Sequence, residues 1–102
     1  MKAMKLPKSI KIGKHRYVVV EPQEMGACAT KGEIDYYMEW IKIAQRCNVT
    51  KREYTPKERA ETFWHEVTHG ILFDMGNRLA FDEKFVEAFS KRLNNAIHSA
   101  EL

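Results

Sequence analysis

The segment His65-Glu66-Val67-Thr68-His69 has the form H-E-x-x-H. On an α-helix, residues i and i+4 lie about 40° apart around the axis and one turn apart along it, so the two imidazoles converge on one ion. Two imidazoles at this spacing suit zinc. The glutamate between them is close enough to hold a metal-bound water without ligating the metal itself. The pattern therefore assigns His65 and His69 as metal ligands and Glu66 as the catalytic acid-base group. The plain alternative is that both histidines are core or surface residues with ordinary hydrogen bonds.

A catalytic zinc takes a third protein ligand and keeps a fourth position open for water. His15 lies far back in a strand region, and His98 is about 22 Å along the last helix from Glu83 at helical rise. Asp74 is rotated roughly 140° off the metal face. Asp82, Glu83 and Glu87 remain, at the start of the helix that returns past the first. Glu83 is the choice, which makes a His-His-Glu site. Glu87 is the alternative, as ligand or as hydrogen-bond partner of one.

The ligand set implies a mechanism. Zinc lowers the pKa of a bound water from 15.7 toward ~7 and polarises a scissile carbonyl. Glu66 takes the water's proton and later delivers it to the leaving amine. The developing oxyanion needs a further donor, for which Tyr36, Tyr37 and His98 are the candidates. The alternating stretch Trp40-Ile41-Lys42-Ile43-Ala44 is expected at a sheet edge, where it would pair with an extended peptide.

These residues need elements to position them. Thr55-Pro56-Lys57-Glu58 combines an N-cap, a proline at the first helical position and a glutamate three after the cap. Helical periodicity then runs to Met75, and Gly76-Asn77 stops it. Ala60, Phe63, Trp64, Val67 and Ile71 share one face of this helix, opposite His65, Glu66, His69 and Thr62. A second helix is expected over about 82–100, antiparallel to the first, with Phe85, Phe89, Leu93 and Ile97 as its buried stripe. Upstream the chain reads as strands. Ile10 and Ile12 alternate with Lys11, Gly13-Lys14 makes a turn, and Tyr17-Val18-Val19-Val20 is β-branched and aromatic. A short strand is expected over 27–30, and residues 34–37 and 40–44 form a hairpin. The fold class is α+β: a small three- to four-stranded, mostly antiparallel sheet packed on the H-E-x-x-H helix, with a second antiparallel helix.

The segment running from His65 through His69-Gly70-Ile71-Leu72 resembles the active-site helix of small bacterial and phage zinc metallopeptidases of the ImmA/IrrE-like group. In that group a glutamate opening an E-x-x-A-N-x-F-A motif on the next helix supplies the third ligand. Glu83-Lys84-Phe85-Val86-Glu87-Ala88-Phe89-Ser90 is similar to it in Glu83 and Phe89 and, more loosely, in Val86 and Ser90. It departs in Glu87, which stands where the group has asparagine. Gly32-Glu33-Ile34-Asp35 and Ile41-Lys42-Ile43 look like the strand region before the helix. The resemblance implies a minimal zincin-like fold, phage-encoded and too short for an extra substrate-binding subdomain. It also implies a protein substrate such as a transcriptional repressor. The competing reading is a non-catalytic zincin-like module of a mobile element that acts by protein interaction. Retention of Glu66 favours the enzyme, because zinc binding alone does not require that acid.

Composition narrows the remaining classes. The 102 residues are 44% hydrophobic and 30% charged, which is one soluble domain and one core. No apolar run approaches the ~20 residues that span a bilayer, and the basic start has no apolar stretch behind it, so the expected location is the cytoplasm. The net charge of +3 includes Lys2, Lys5, Lys8, Lys11, Lys14 and Arg16, with no acid before Glu21. The arm over about 1–8 reads as a solvated tail, and without a recognisable motif nucleic acid is not an expected partner. Cys28 and Cys47 read as free thiols.

Overall fold

A computed structural model describes residues 5–26 and 30–100. It is an α+β fold in which strands β1 (Ser9–Ile12), β2 (His15–Val20), β3 (Gly32–Asp35) and β4 (Trp40–Ile43) precede helices α1 (Pro56–Asp74) and α2 (Glu83–Ser99). A 3₁₀ turn, Arg78–Phe81, joins the helices. The strand order is β1-β2-β4-β3, with β2 and β4 parallel and the other two pairings antiparallel. The expected strand over 27–30 and Cys28 fall on or beside residues 27–29, outside the described residues. Cys47 is a free, buried thiol that accepts a hydrogen bond from the Thr50 amide.

The strands obey a period of two because only one face of the sheet is covered. Ile12, Tyr17, Ile41 and Ile43 point inward and form the core with Phe63 and Val67 of α1. A smaller cluster of Met25, Ala44, Cys47 and Tyr54 anchors the segment that leads into α1. Residues 40–44 do not lie at the edge as expected. β4 is internal, between β2 and β3, and the edge beside α1 is β3. Alternation reports which side of a strand is buried and carries no information about which strands flank it, so the order had to come from the tertiary fold.

Helix α1 begins as its residue types dictate. The Thr55 hydroxyl accepts from the Glu58 amide at 3.1 Å, the Glu58 carboxylate accepts from the Thr55 amide at 2.9 Å, and Pro56 occupies the first turn. Both nitrogens of the Arg52 fork also reach Glu58, at 3.0 and 2.9 Å. On the sheet side, Ala60, Phe63 and Val67 are buried as expected, but Ile71 is 42% exposed. The line of closest approach runs through Gly70, where a Cβ would stand 2.9 Å from Ile12 Cδ1. Ile71 lies about 100° around the helix from that line.

The buried stripe of α2 also differs from the expected one. Val86, Ser90 and Asn94 face α1, while Phe89 and Ile97 are exposed and Phe85 and Leu93 are only half-buried. At 100° per residue Phe85 and Phe89 lie roughly 160° and 120° from Glu83. A helix that turns Glu83 toward α1 must turn the phenylalanines away. The smaller Val-Ser-Asn line also lets the helices approach closely.

Loss of the Glu58 half of the α1 capping box, and of the Arg52 pair with it, in Glu58→Ala is expected to cost about 1 kcal/mol of stability at neutral pH. The Arg52 guanidinium and then the Thr55 amide hold the Glu58 carboxyl down at about 2, against an ordinary 4.5. A depressed carboxyl stabilises fully above its unfolded value and loses that contribution as pH falls toward the folded value. Urea titrations at pH 7 and pH 3 should therefore show the gap between wild type and variant narrowing in acid.

Candidate metal centre

His65, Glu66 and His69 lie in the second half of α1, and Glu83 opens α2 directly opposite. One donor atom from each of His65, His69 and Glu83 falls within 4.8 Å of the others. Glu83 Oε1 is 2.9 Å from His69 Nε2, and Glu83 Oε2 is 3.2 Å from His65 Nε2. The two imidazole rings stand edge to face with centroids 4.9 Å apart.

The other ring nitrogens decide what these contacts mean. His69 Nδ1 is 2.7 Å from the Ala80 carbonyl, which only accepts, so the ring donates from Nδ1. His65 Nδ1 is 3.0 Å from Glu87 Oε2 and donates to it in the same way. In the neutral imidazole each remaining Nε2 carries a lone pair, and both Nε2 atoms face the same carboxylate. Three electron-rich groups then converge, and only positive charge among them satisfies the arrangement: imidazolium protons or one divalent cation. Two imidazoles and a carboxylate are a zinc donor set, and ligand atoms of a tetrahedral zinc stand roughly 3.4 Å apart. The residues fit that ion. Glu87 is placed as the partner that orients His65, and Lys91 at 3.2 Å steadies it in turn.

Glu66 is as buried as His69, whereas Glu83 is largely exposed. Glu66 is 7% exposed and lines the cleft beside both histidines. Burial first, then the charges of Glu83 and Glu33, raise its carboxyl to about 8 from an ordinary 4.5. Among the oxyanion candidates, only Tyr36 lines the cleft with Glu66 and the two histidines. Its ring stacks on Phe73 at 3.8 Å and 4°, and burial with the nearby Glu66 pushes its phenol up to about 12. Tyr37 is 90% exposed, and His98 bonds the Asn94 carbonyl at the far end of α2. His15 pairs with Glu39 on the sheet, and Asp74 lies against the Gly13 turn. Neither belongs to the cluster.

Two lobes meet at His65 and Glu66. One, of about 460 Å³, has Ile34, Tyr36 and Phe81 among its walls; the other, of about 250 Å³, has Thr62, Glu87 and Lys91. Gly32 borders both. A Cβ there would stand 2.5 Å from Thr62 Cγ2, so a residue without one lets the β3 edge close on α1 beside the histidines. The role of this glycine carries no local sequence signal, because it depends on a helix thirty residues away.

Comparison with known proteins adds no relative: no protein-family model, no curated protein and no solved structure matches the chain.

Two outcomes follow from this geometry. In metal-free protein, Glu66 is protonated in both folded and unfolded chains below pH 4.5. Between about 4.5 and 8 the unfolded chain ionises while the folded one resists, so stability falls as pH rises. Glu66→Gln should remove that slope and be the more stable protein at pH 8 in the presence of a chelator, with the difference closing at pH 4. Zinc titration calorimetry should separate the two carboxylates. Glu87→Gln should weaken affinity by about 10- to 100-fold, as loss of an orienting partner does, and Glu83→Gln should weaken it more.

Proposed function

We propose that the chain is a zinc-dependent peptidase with a minimal zincin-like fold, acting on a protein or peptide substrate. The observation that carries this reading is the convergence of both Nε2 atoms and the Glu83 carboxylate beside a buried glutamate, in a cleft open to an extended chain. His65, His69 and Glu83 would hold the ion. When bound, zinc supplies Lewis acidity toward a carbonyl and acidifies a water.

The remaining chemistry belongs to the chain's own side chains. Glu66 has a carboxyl whose proton affinity is raised toward neutrality, so it is suited to take a proton from an attacking water and return it to a leaving amine. Tyr36 keeps its phenolic proton through the neutral range and is held flat on Phe73, so it donates to the oxygen on which negative charge develops. The edge strand β3 aligns the substrate. The Ala44 amide donates to the Lys31 carbonyl, and the register then turns the backbones of Lys31, Glu33 and Asp35 toward β4. Gly32 and Ile34 consequently offer their N–H and C=O groups to the free edge, where an extended peptide adds as a further strand.

Metal analysis of protein purified without a histidine tag should find about one zinc per chain, absent from His69→Ala and Glu83→Ala. A denatured protein digested with the zinc-loaded enzyme and read by mass spectrometry should give discrete cuts. Glu66→Gln should lower kcat by about 10²- to 10⁴-fold. Tyr36→Phe should lower it by about 10²-fold with little change in KM. Absence of zinc uptake, or a Glu66→Gln protein that cuts like wild type, sinks the peptidase reading. It would leave the cluster to bind without catalysis.

A further inference from the structure

The cleft is not uniform along its length. β3 runs beside α1 in the same direction, with Gly32 at Thr62, Ile34 at Gly70 and Tyr36 stacked on Phe73. An extended peptide added to the free edge of β3 therefore passes over both lobes. The lobe of about 460 Å³ meets the whole cluster, since His65, Glu66, His69 and Glu83 all border it. Beyond them its side chains are Ile34, Tyr36, Ala80 and Phe81, with Glu33 on the strand. Glu33 is exposed, and strand alternation turns it to the opposite face from Ile34. Around the lobe of about 250 Å³ every lining side chain among the described residues is polar, from Lys31, Glu58 and Glu61 to Ser90 and Lys91. Both signs of charge are present there, so this lobe separates polar from apolar and not one charge from the other.

Phe81 is 74% exposed, yet the backbone on either side of it is fixed. The Ala80 carbonyl accepts from His69 Nδ1 at 2.7 Å, and the Asp82 amide donates to the Leu79 carbonyl at 3.1 Å. The ring thus stands uncovered at the cleft, one residue from the bond that orients a metal ligand. Phe89 is exposed as well, but it lies on the outer face of α2 and borders neither lobe. The stretches of α1 that border the two lobes are centred just over four residues apart, roughly 6.5 Å at helical rise. An extended chain returns its side chains to the same face every two residues, at roughly 6.7 Å. Side chains two apart therefore fill the two lobes together.

We propose that the cleft selects an extended peptide with a large apolar side chain next to the scissile bond, read by Phe81, and a polar side chain two positions away. This deepens the peptidase reading and rests on it for the position of the cut. A leucine, methionine or phenylalanine in the larger lobe covers the Phe81 ring and takes apolar area of both partners out of water. A small or charged side chain leaves that ring exposed. In the smaller lobe the preference reverses, because an apolar side chain would strip water from charged walls without replacing its hydrogen bonds.

The test reads binding apart from cleavage. The full chain carrying Glu66→Gln, with zinc, is titrated by fluorescence anisotropy with labelled peptides of about eight residues. The peptides differ only at a central position and at the two positions two residues from it. Central phenylalanine or leucine should bind about 10- to 100-fold tighter than alanine. Serine replaced by leucine two residues away should weaken binding, on one side only. In the same background Phe81→Ala should remove most of the central preference, Phe81→Leu should keep most of it, and Phe89→Ala should leave it unchanged. Circular dichroism checks that each variant folds. Digestion of the same peptides by the zinc-loaded wild type then reads the chemistry. Selective binding without any cut leaves the selectivity of the cleft standing and removes the peptidase reading. The proposal is overturned by binding or cuts with no preference for a large apolar residue, or by a preference that Phe81→Ala leaves intact. It is equally overturned if no peptide binds up to about 1 mM.

Discussion

The hydrogen bond between His69 Nδ1 and the Ala80 carbonyl, 2.7 Å long and buried, is the constraint on which the site depends. It ties the turn between the helices back onto α1 and commits the Nδ1 proton, which leaves Nε2 to face the cleft. Ala80 is three residues before Glu83, so the same bond that selects the tautomer also delivers the carboxylate. The turn is built for this. Asn77 caps it through the Leu79 amide, and Asp82 caps α2 through the Phe85 amide.

From that reversal follows the way the helices pack. For Glu83 to approach both histidines, the contact line of α2 has to be narrow, and Val86, Ser90 and Asn94 make it so. The cost is an outer face that carries Phe85 and Phe89, stacked on each other at 5.8 Å and not on the core. Hydrophobic burial, left to itself, would rotate the helix the other way. The arrangement of α2 therefore reflects the site more than the core.

A second tension sits on α1. Glu66 occupies a position that an apolar residue would fill at lower free-energy cost, since burying a carboxyl raises its proton affinity and strains the ionised form. The helix tolerates this because its other turns are strongly determined: a reciprocal cap at the start, Phe63 and Val67 in the core, and Gly70 seated on the sheet. Local stability on either side holds one unfavourable group in place.

Much of the molecule was legible in the residues alone. The cap and stop residues delimit α1, the period of two marks the strands, and the i, i+4 spacing places His65 beside His69, because all of these are properties of short segments. Even Glu83 and Glu87 were within reach, since a short connection limits where the next helix begins. What the sequence left open were relations between segments. The strand order that makes β3 and not β4 the edge, the rotation of α2 that buries Val86 in place of Phe89, the choice of Tyr36 over Tyr37, and the division of Glu83 and Glu87 between the two sides of His65 are all set by packing at long range. A periodic pattern says how a segment is divided between inside and outside. Only the assembled core decides which inside surface it meets, because that depends on shape and on carboxylates and rings that are neighbours in space alone.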